Sequence, residues 1–179
     1  MQTTLVDLIK SAVRTPITGA EVGVYKGETS LALLEAFPHC HLVLVDPWQE
    51  WKPTDNYYRH NRTGRLTQQE WNDAYTTAMS RITPYNDRVT VERKTSEQSS
   101  HTFPVRWFDF VFIDANHTYE AVRNDILYWL PRTNKIIVGH DYGGKYPGVQ
   151  QAVDEMFGGR REVLLPGDRL WGVQLDAEY

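Results

Sequence analysis

Short apolar runs alternate with stretches of helical spacing along most of the chain. Five runs read as strands, at about 18–24 (TGAEVGV), 41–46 (HLVLVD), 88–93 (RVTVER), 108–113 (FDFVFI) and 135–139 (KIIVG). Each is rich in Val, Ile, Leu or Phe and is bounded by polar or turn residues. Helical patterns fill the gaps at 28–36, 67–82, 119–130 and 147–157. In the third of these, Tyr119, Val122, Ile126, Trp129 and Leu130 fall on one stripe, which predicts packing on a sheet. Strands alternating with helices predict an α/β fold: a doubly wound, mostly parallel, Rossmann-like sheet.

The two ends of the chain differ from this rhythm. The start, MQTTLVDLIKSAVRTP, has an amphipathic helical pattern interrupted by Asp7, Lys10 and Arg14, which suits neither a signal peptide nor a membrane span. At the other end, REVLLPGDRLWGVQLD alternates around Pro166-Gly167-Asp168 and predicts a hairpin that gives the sheet an antiparallel end. One long irregular segment, 47–66 (PWQEWKPTDNYYRHNRTGRL), has no clear period. Segments of this length are either functional lids or mobile insertions. Its Trp48, Trp51, Tyr57 and Tyr58 could cover a ligand, pack on the sheet edge or make an oligomer contact.

Composition narrows the range of partners. The 179 residues suffice for one domain with its own core, so 1–179 is expected to be a single unit. A formal charge of -4 offers no footprint for nucleic acid or an anionic membrane, which leaves small molecules or proteins. The lone Cys40 excludes an internal disulfide and any multi-cysteine metal site, and a reducing, cytoplasmic setting is expected.

Ligands of such sheets bind outside the carboxyl ends of the strands. The first strand runs into Glu21-Val22-Gly23-Val24-Tyr25-Lys26-Gly27, and Glu28-Thr29-Ser30 open the helix. Gly23 allows a tight turn beneath a ligand, Gly27 allows helix and strand to approach, and the helix N-terminus offers free N–H groups. A plain strand-to-helix turn has the same composition. Asp46 ends the second strand about 20 residues later, where an acidic side chain can accept from both hydroxyls of a ribose, or else cap the loop before Pro47.

Asp114 and Asp141 each follow an apolar strand directly. If these strands are neighbours, about 4.8 Å apart, the two carboxylates face each other across a gap that one cation can bridge. His140 could supply a third ligand, and an Asp/Asp/His set suits magnesium, manganese or ferrous iron. The alternatives are a helix N-cap for Asp114 and a turn residue for Asp141. His117, three residues past Asp114, is of a type that can act as a base at neutral pH, or simply cap the next helix.

Taken together, AEVGVYKGETS, LVLVDPW, ERKTSEQ, DFVFIDANHTYEAVRNDI and IIVGHDY…PGVQQAVDEMF resemble the class I S-adenosylmethionine-dependent methyltransferases. The resemblance is closest to the branch that includes metal-dependent sugar O-methyltransferases of macrolide pathways, and it covers nearly the whole chain. It implies that Glu21, Gly23 and Gly27 hold the methionine end of the cofactor, Asp46 the ribose, and Ser96 with Glu97 the adenine. Val24, Tyr25, Thr29, Ser30, Pro47, Trp48 and Asp114 complete the implied cofactor set.

By the same resemblance Asp114 and Asp141 match metal ligands, His140 stands where a relative has an acidic ligand, and His117 takes the place of the base. Two features depart from the pattern: Tyr25 replaces the middle glycine of the loop, and the N-terminal extension that usually closes over the substrate is nearly absent. The expected function is methyl transfer to a hydroxyl of a small molecule, a sugar or natural product. A non-catalytic module of the same fold that holds S-adenosylmethionine or another adenosine ligand is the alternative. An NAD enzyme is disfavoured, because the loop lacks the second glycine that close approach to a pyrophosphate requires.

Overall fold

The computed structural model describes residues 4–158, 163–164 and 169–175. Strands β1 (Thr18–Val22), β2 (His41–Val45), β3 (Val89–Glu92), β4 (Phe108–Ile113), β5 (Thr133–Gly139), β6 (Val163–Leu164) and β7 (Trp171–Gln174) form one sheet in the order β3-β2-β1-β4-β5-β7-β6. The pairs among β1 to β5 are parallel. Strand β7 runs antiparallel to β5 and to β6, so the expected antiparallel end is present. The turn residues Pro166, Gly167 and Asp168 lie outside the described residues.

Helices α1 (Leu5–Ala12), α2 (Glu28–Ala36), α4 (Gln68–Ile82), α6 (Tyr119–Trp129) and α7 (Pro147–Phe157) follow the sequence periodicity closely. Two short helices, α3 (Asn56–His60) and α5 (Ser96–Ser100), were not legible from spacing. Their starts nevertheless have local causes. Thr95 caps α5 by accepting from the N–H of Gln98, as Thr67 caps α4 and Thr118 caps α6.

Alternation along the strands builds two cores. Leu42, Leu44, Phe110, Phe112, Ile136 and Val138 face α1, α2 and α4, whereas Val43, Val45, Val111, Ile113 and Ile137 face α6 and α7. Residues one apart therefore serve opposite faces, and both faces are covered, as an all-apolar parallel strand demands. The helix switch from one face to the other falls between β1 and β4, which are direct neighbours. The crevice at their carboxyl ends is the place where such folds bind ligands.

The strand ends differ slightly from the sequence expectation. β1 stops at Val22 rather than continuing to residue 24, because Gly23 adopts φ +93° and turns the chain. A Cβ at Gly23 would lie 2.3 Å from the carbonyl oxygen of Asp114, so this position demands glycine for space as well as for conformation.

Candidate functional site

A cavity of about 530 Å³ opens at the carboxyl ends of β1, β2 and β4. Gly23, Tyr25, Asp46, Pro47, Ser96, Glu97, Asp114, His117 and Asp141 all line it. The sequence separation among them exceeds a hundred residues, and parallel register alone brings them to one rim: Val22 pairs with Val45 and with Ile113, and Ile113 pairs with Gly139. The expected neighbourhood of Asp114 and Asp141 follows from that last pairing.

The loop after β1 is built around Asp46. Its Oδ2 accepts the N–H groups of Val24 and Tyr25, each at 3.0 Å, and its Oδ1 accepts the N–H of Trp48 at 2.8 Å. Burial raises the Asp46 pKa, and these three donors oppose the rise. They also explain how Tyr25 and Trp48 hold left-handed conformations, at φ 51° and 41°, without being glycine. Asp46 thus caps its loop and lines the cavity at once: the two roles read from the sequence are compatible.

Other residues of the implied cofactor set stand behind this wall. Glu21 is buried beneath the loop, where the Ser30 hydroxyl donates to its Oε2 at 2.5 Å. Burial pushes the Glu21 carboxyl up to about 8. Gly27, at φ +76°, packs its backbone against Ala78 of α4. That corrects the reading of Gly27 as the point where helix meets strand: the close approach is between two helices. Val24 and Trp48 belong to the core, and the Trp48 indole N–H donates to the Tyr25 carbonyl at 2.8 Å. Like Thr29, they do not line the cavity.

Another part of the cavity wall centres on His117. Its Nε2 lies 2.9 Å from Asp141 Oδ2 and 3.3 Å from Asp114 Oδ1, and its ring stacks on Tyr146 with centroids 4.3 Å apart. Nδ1 lies 2.7 Å from Asn61 Oδ1. Asn61 Nδ2 donates to Asn116 Oδ1 at 3.0 Å, which leaves the Asn61 oxygen as an acceptor and places the ring proton at Nδ1. Nε2 is then the ring nitrogen that faces the two carboxylates.

Asp114, His140 and Asp141 each offer one ligand atom within 4.8 Å of the others. Two carboxylates and an imidazole form an oxygen-rich donor set that fits a divalent cation. Arg169 competes for it, with Nη1 3.0 Å from Asp141 Oδ1. Asp141 itself sits at φ 63°, a conformation that aspartate tolerates better than most residues. Tyr142 N–H donates to the Arg169 carbonyl at 2.9 Å and ties this turn to the chain entering β7.

Segment 47–66 divides its aromatic residues between core and cavity. Trp51, Tyr57 and Thr63 line the cavity, whereas Trp48 is fully buried and meets Tyr75 edge-on. Tyr57 is hydrogen-bonded to Thr63 at 2.7 Å, and burial pushes its hydroxyl up to about 12. Asn61, Asn116, Tyr146, Arg169 and Asp125 escaped the sequence reading, because their importance depends on contacts with residues distant in the chain.

A methyltransferase-domain family profile matches residues 20–142, about two thirds of the chain and the whole span from the β1 loop to Asp141. The chain belongs to this methyltransferase family. No curated protein matches it. Solved structures share the class I methyltransferase fold at low identity. Cofactor-bound Rv0187 from MTB is 17% identical with TM-score 0.63, covering 96% of this chain and 78% of its own. The O-methyltransferase from Bacillus cereus, in complex with SAH, is 18% identical with TM-score 0.56, over 89% and 74%. Spermidine synthase from Thermotoga maritima is also similar, at 10% identity and TM-score 0.61 over 98% and 58%, so the fold by itself does not choose the transferred group. Among the described residues of this methyltransferase, no helix is long and apolar enough to cross a membrane.

Proposed function

We propose that this methyltransferase transfers a methyl group from S-adenosylmethionine to a hydroxyl of a small molecule, a sugar or natural product, with help from a divalent cation. The observation that carries the reading is the convergence of the Gly23 turn, Asp46, Asp114, His117 and Asp141 on one cavity. The volume of about 530 Å³ lies within the range of small-molecule sites, and the turn that lines it has no room for a Cβ. The SAH carried by the Bacillus cereus relative supports this choice of cofactor.

S-adenosylmethionine supplies, when bound, a methyl carbon already activated by its sulfonium. The residues of this chain have to bring an oxygen in line with that carbon and remove its proton. His117 is the base, and Nε2 is the atom that accepts, since Nδ1 is committed to Asn61. As the new C–O bond forms and the C–S bond breaks, the acceptor's proton passes to Nε2. Asp114 and Asp141 are hydrogen-bonded to that nitrogen once it is protonated and so stabilise the imidazolium. Asp114, Asp141 and His140 would hold a cation such as magnesium, whose charge lowers the pKa of a bound hydroxyl. Trp51 and Tyr57 roof the cavity and limit its water.

Calorimetric titration with S-adenosylhomocysteine and with NAD, followed by a panel of hydroxylated acceptors with magnesium, tests the proposal. Binding of the first ligand alone is expected, with methylation of at least one acceptor. The His117→Ala variant should keep cofactor affinity and lose roughly 10²–10⁴ in turnover. Binding without methylation of any acceptor favours the non-catalytic module, and tight NAD binding in place of S-adenosylhomocysteine overturns the assignment.

A further inference from the structure

His117 is held along both edges of its ring and on one face. At the edges, Nδ1 meets Asn61 Oδ1 at 2.7 Å, and Nε2 faces Asp141 and Asp114. On the face, the Tyr146 ring stacks with centroids 4.3 Å apart and planes 19° from parallel. These restraints differ in kind. Contacts at the two nitrogens set directions within the ring plane and resist its tilting only weakly, and the χ2 torsion of histidine is intrinsically broad. A stacked ring fixes the plane itself.

The stretch Tyr146-Pro147-Gly148 is built for that contact. Pro147 keeps the preceding Tyr146 out of the helical region, at φ -114° and ψ 86°, and opens α7, where its missing N–H costs nothing. The Tyr146 ring also packs against the core that α6 and α7 cover, which anchors it. Gly148 brings the first turn of α7 against the backbone that follows His117. A Cβ there would lie 2.6 Å from the Tyr119 nitrogen and 3.0 Å from the His117 carbonyl oxygen. Glycine is thus what lets α7 approach closely enough for the two rings to stack.

We infer that Tyr146 is a positioning residue for methyl transfer: its ring holds the imidazole plane so that Nε2 points at the acceptor oxygen. The inference rests on the proposed function above and adds to it a residue behind the cavity wall, since Tyr146 does not line the cavity and acts through His117 alone. The phenol hydroxyl has no part in it, because stacking is a property of the ring face. Phenylalanine should therefore serve as well, and an aliphatic side chain should not.

Two measurements on the wild type, Tyr146→Phe and Tyr146→Leu test this. Nuclear magnetic resonance of the imidazole C–H groups, assigned by their loss in His117→Gln, reads the stack directly, because a ring face shifts the protons above it upfield. The wild type and Tyr146→Phe should show displaced His117 signals, and Tyr146→Leu should lose the displacement. In methylation of an acceptor, kcat should fall by roughly ten- to a hundredfold in Tyr146→Leu and stay within about twofold of wild type in Tyr146→Phe, with S-adenosylhomocysteine affinity kept in both. Undisplaced His117 signals in the wild type overturn the inference, and so does a Tyr146→Leu variant with wild-type kcat. Loss of S-adenosylhomocysteine affinity along with turnover in Tyr146→Leu marks the residue as structural and overturns it too, as does a Tyr146→Phe variant as slow as Tyr146→Leu. A wild type that binds S-adenosylhomocysteine but methylates no acceptor removes the methyl-transfer reading instead, and the His117 signals then decide the positioning by themselves.

Discussion

His117 Nδ1 and the side-chain oxygen of Asn61 stand 2.7 Å apart, joining the proposed base to segment 47–66, part of which lines the cavity. Asn61 is therefore a positioning residue: it orients the ring and fixes the proton at Nδ1. Asn61→Ala should lower kcat by about tenfold, a part of what a well-placed base supplies, with cofactor affinity unchanged. Asn61→Asp puts a negative charge beside Nδ1 and favours the imidazolium. The acidic limb of its kcat/KM profile should move to higher pH, because the base must be unprotonated to act. An unmoved limb would mean that Asn61 only fills space.

Gly23 has no tolerance for a side chain. In Gly23→Ala the new methyl group would meet the Asp114 carbonyl at 2.3 Å while the backbone is held at φ +93°. The strain, about 1–3 kcal/mol from the backbone conformation alone, should appear as a lower melting temperature. S-adenosylhomocysteine affinity should fall as well, since the loop and Asp114 can relieve the overlap only by moving apart. A variant with wild-type melting and binding would contradict the geometry of this turn.

Glu21 predicts a pH dependence of stability. Its folded-state value of about 8 lies above the ordinary glutamate value of 4.5 expected once unfolded, so the folded protein holds the proton over that interval. Stability is then greatest below about 4.5 as far as this group is concerned. It declines as pH rises through about 8, by at most roughly 1.4 kcal/mol per pH unit. Denaturant melts of Glu21→Gln should lack that part of the slope and should be the more stable at alkaline pH. Equal slopes for the two proteins would show that Glu21 is ionised when folded.

Arg169 would compete with the proposed cation for the Asp141 carboxylate. Manganese titration followed by electron paramagnetic resonance should show binding to the wild type and its loss in Asp141→Asn, and tighter binding in Arg169→Ala, where the competing guanidinium is gone. Chelation of the metal should correspondingly reduce methylation. Manganese affinity that is the same in all three proteins would place the ion elsewhere.

The element plan was largely readable, and the reason is particular to this sheet. Both faces of β1, β2, β4 and β5 are covered, so these strands are near-continuous apolar runs, and α2 and α7 begin and end where their periodicity does. The α3 turn escaped because five residues are too few for a period to declare itself. The strand ends were likewise legible only in part. Nothing local distinguishes a strand that stops at Val22 from one that continues to residue 24, and the stop comes from a carbonyl of a different strand.

At the site, which residues line the cavity was largely legible and their partners were not. The sequence alone identified Gly23, Asp46, Asp114, His117 and Asp141, because each directly follows an apolar strand or its turn, and strand ends are where such sheets bind. It could not reveal that Asp46 also organises its own loop, that Glu21 and Ser30 lie behind the wall, or that Asn61 and Arg169 hold His117 and Asp141. Those contacts join residues far apart in the chain, and no local preference specifies them. Side-chain periodicity acts over a few residues and fixes which element forms. Sheet order and packing alone decide which strand ends become neighbours, and with them which groups share protons and charge.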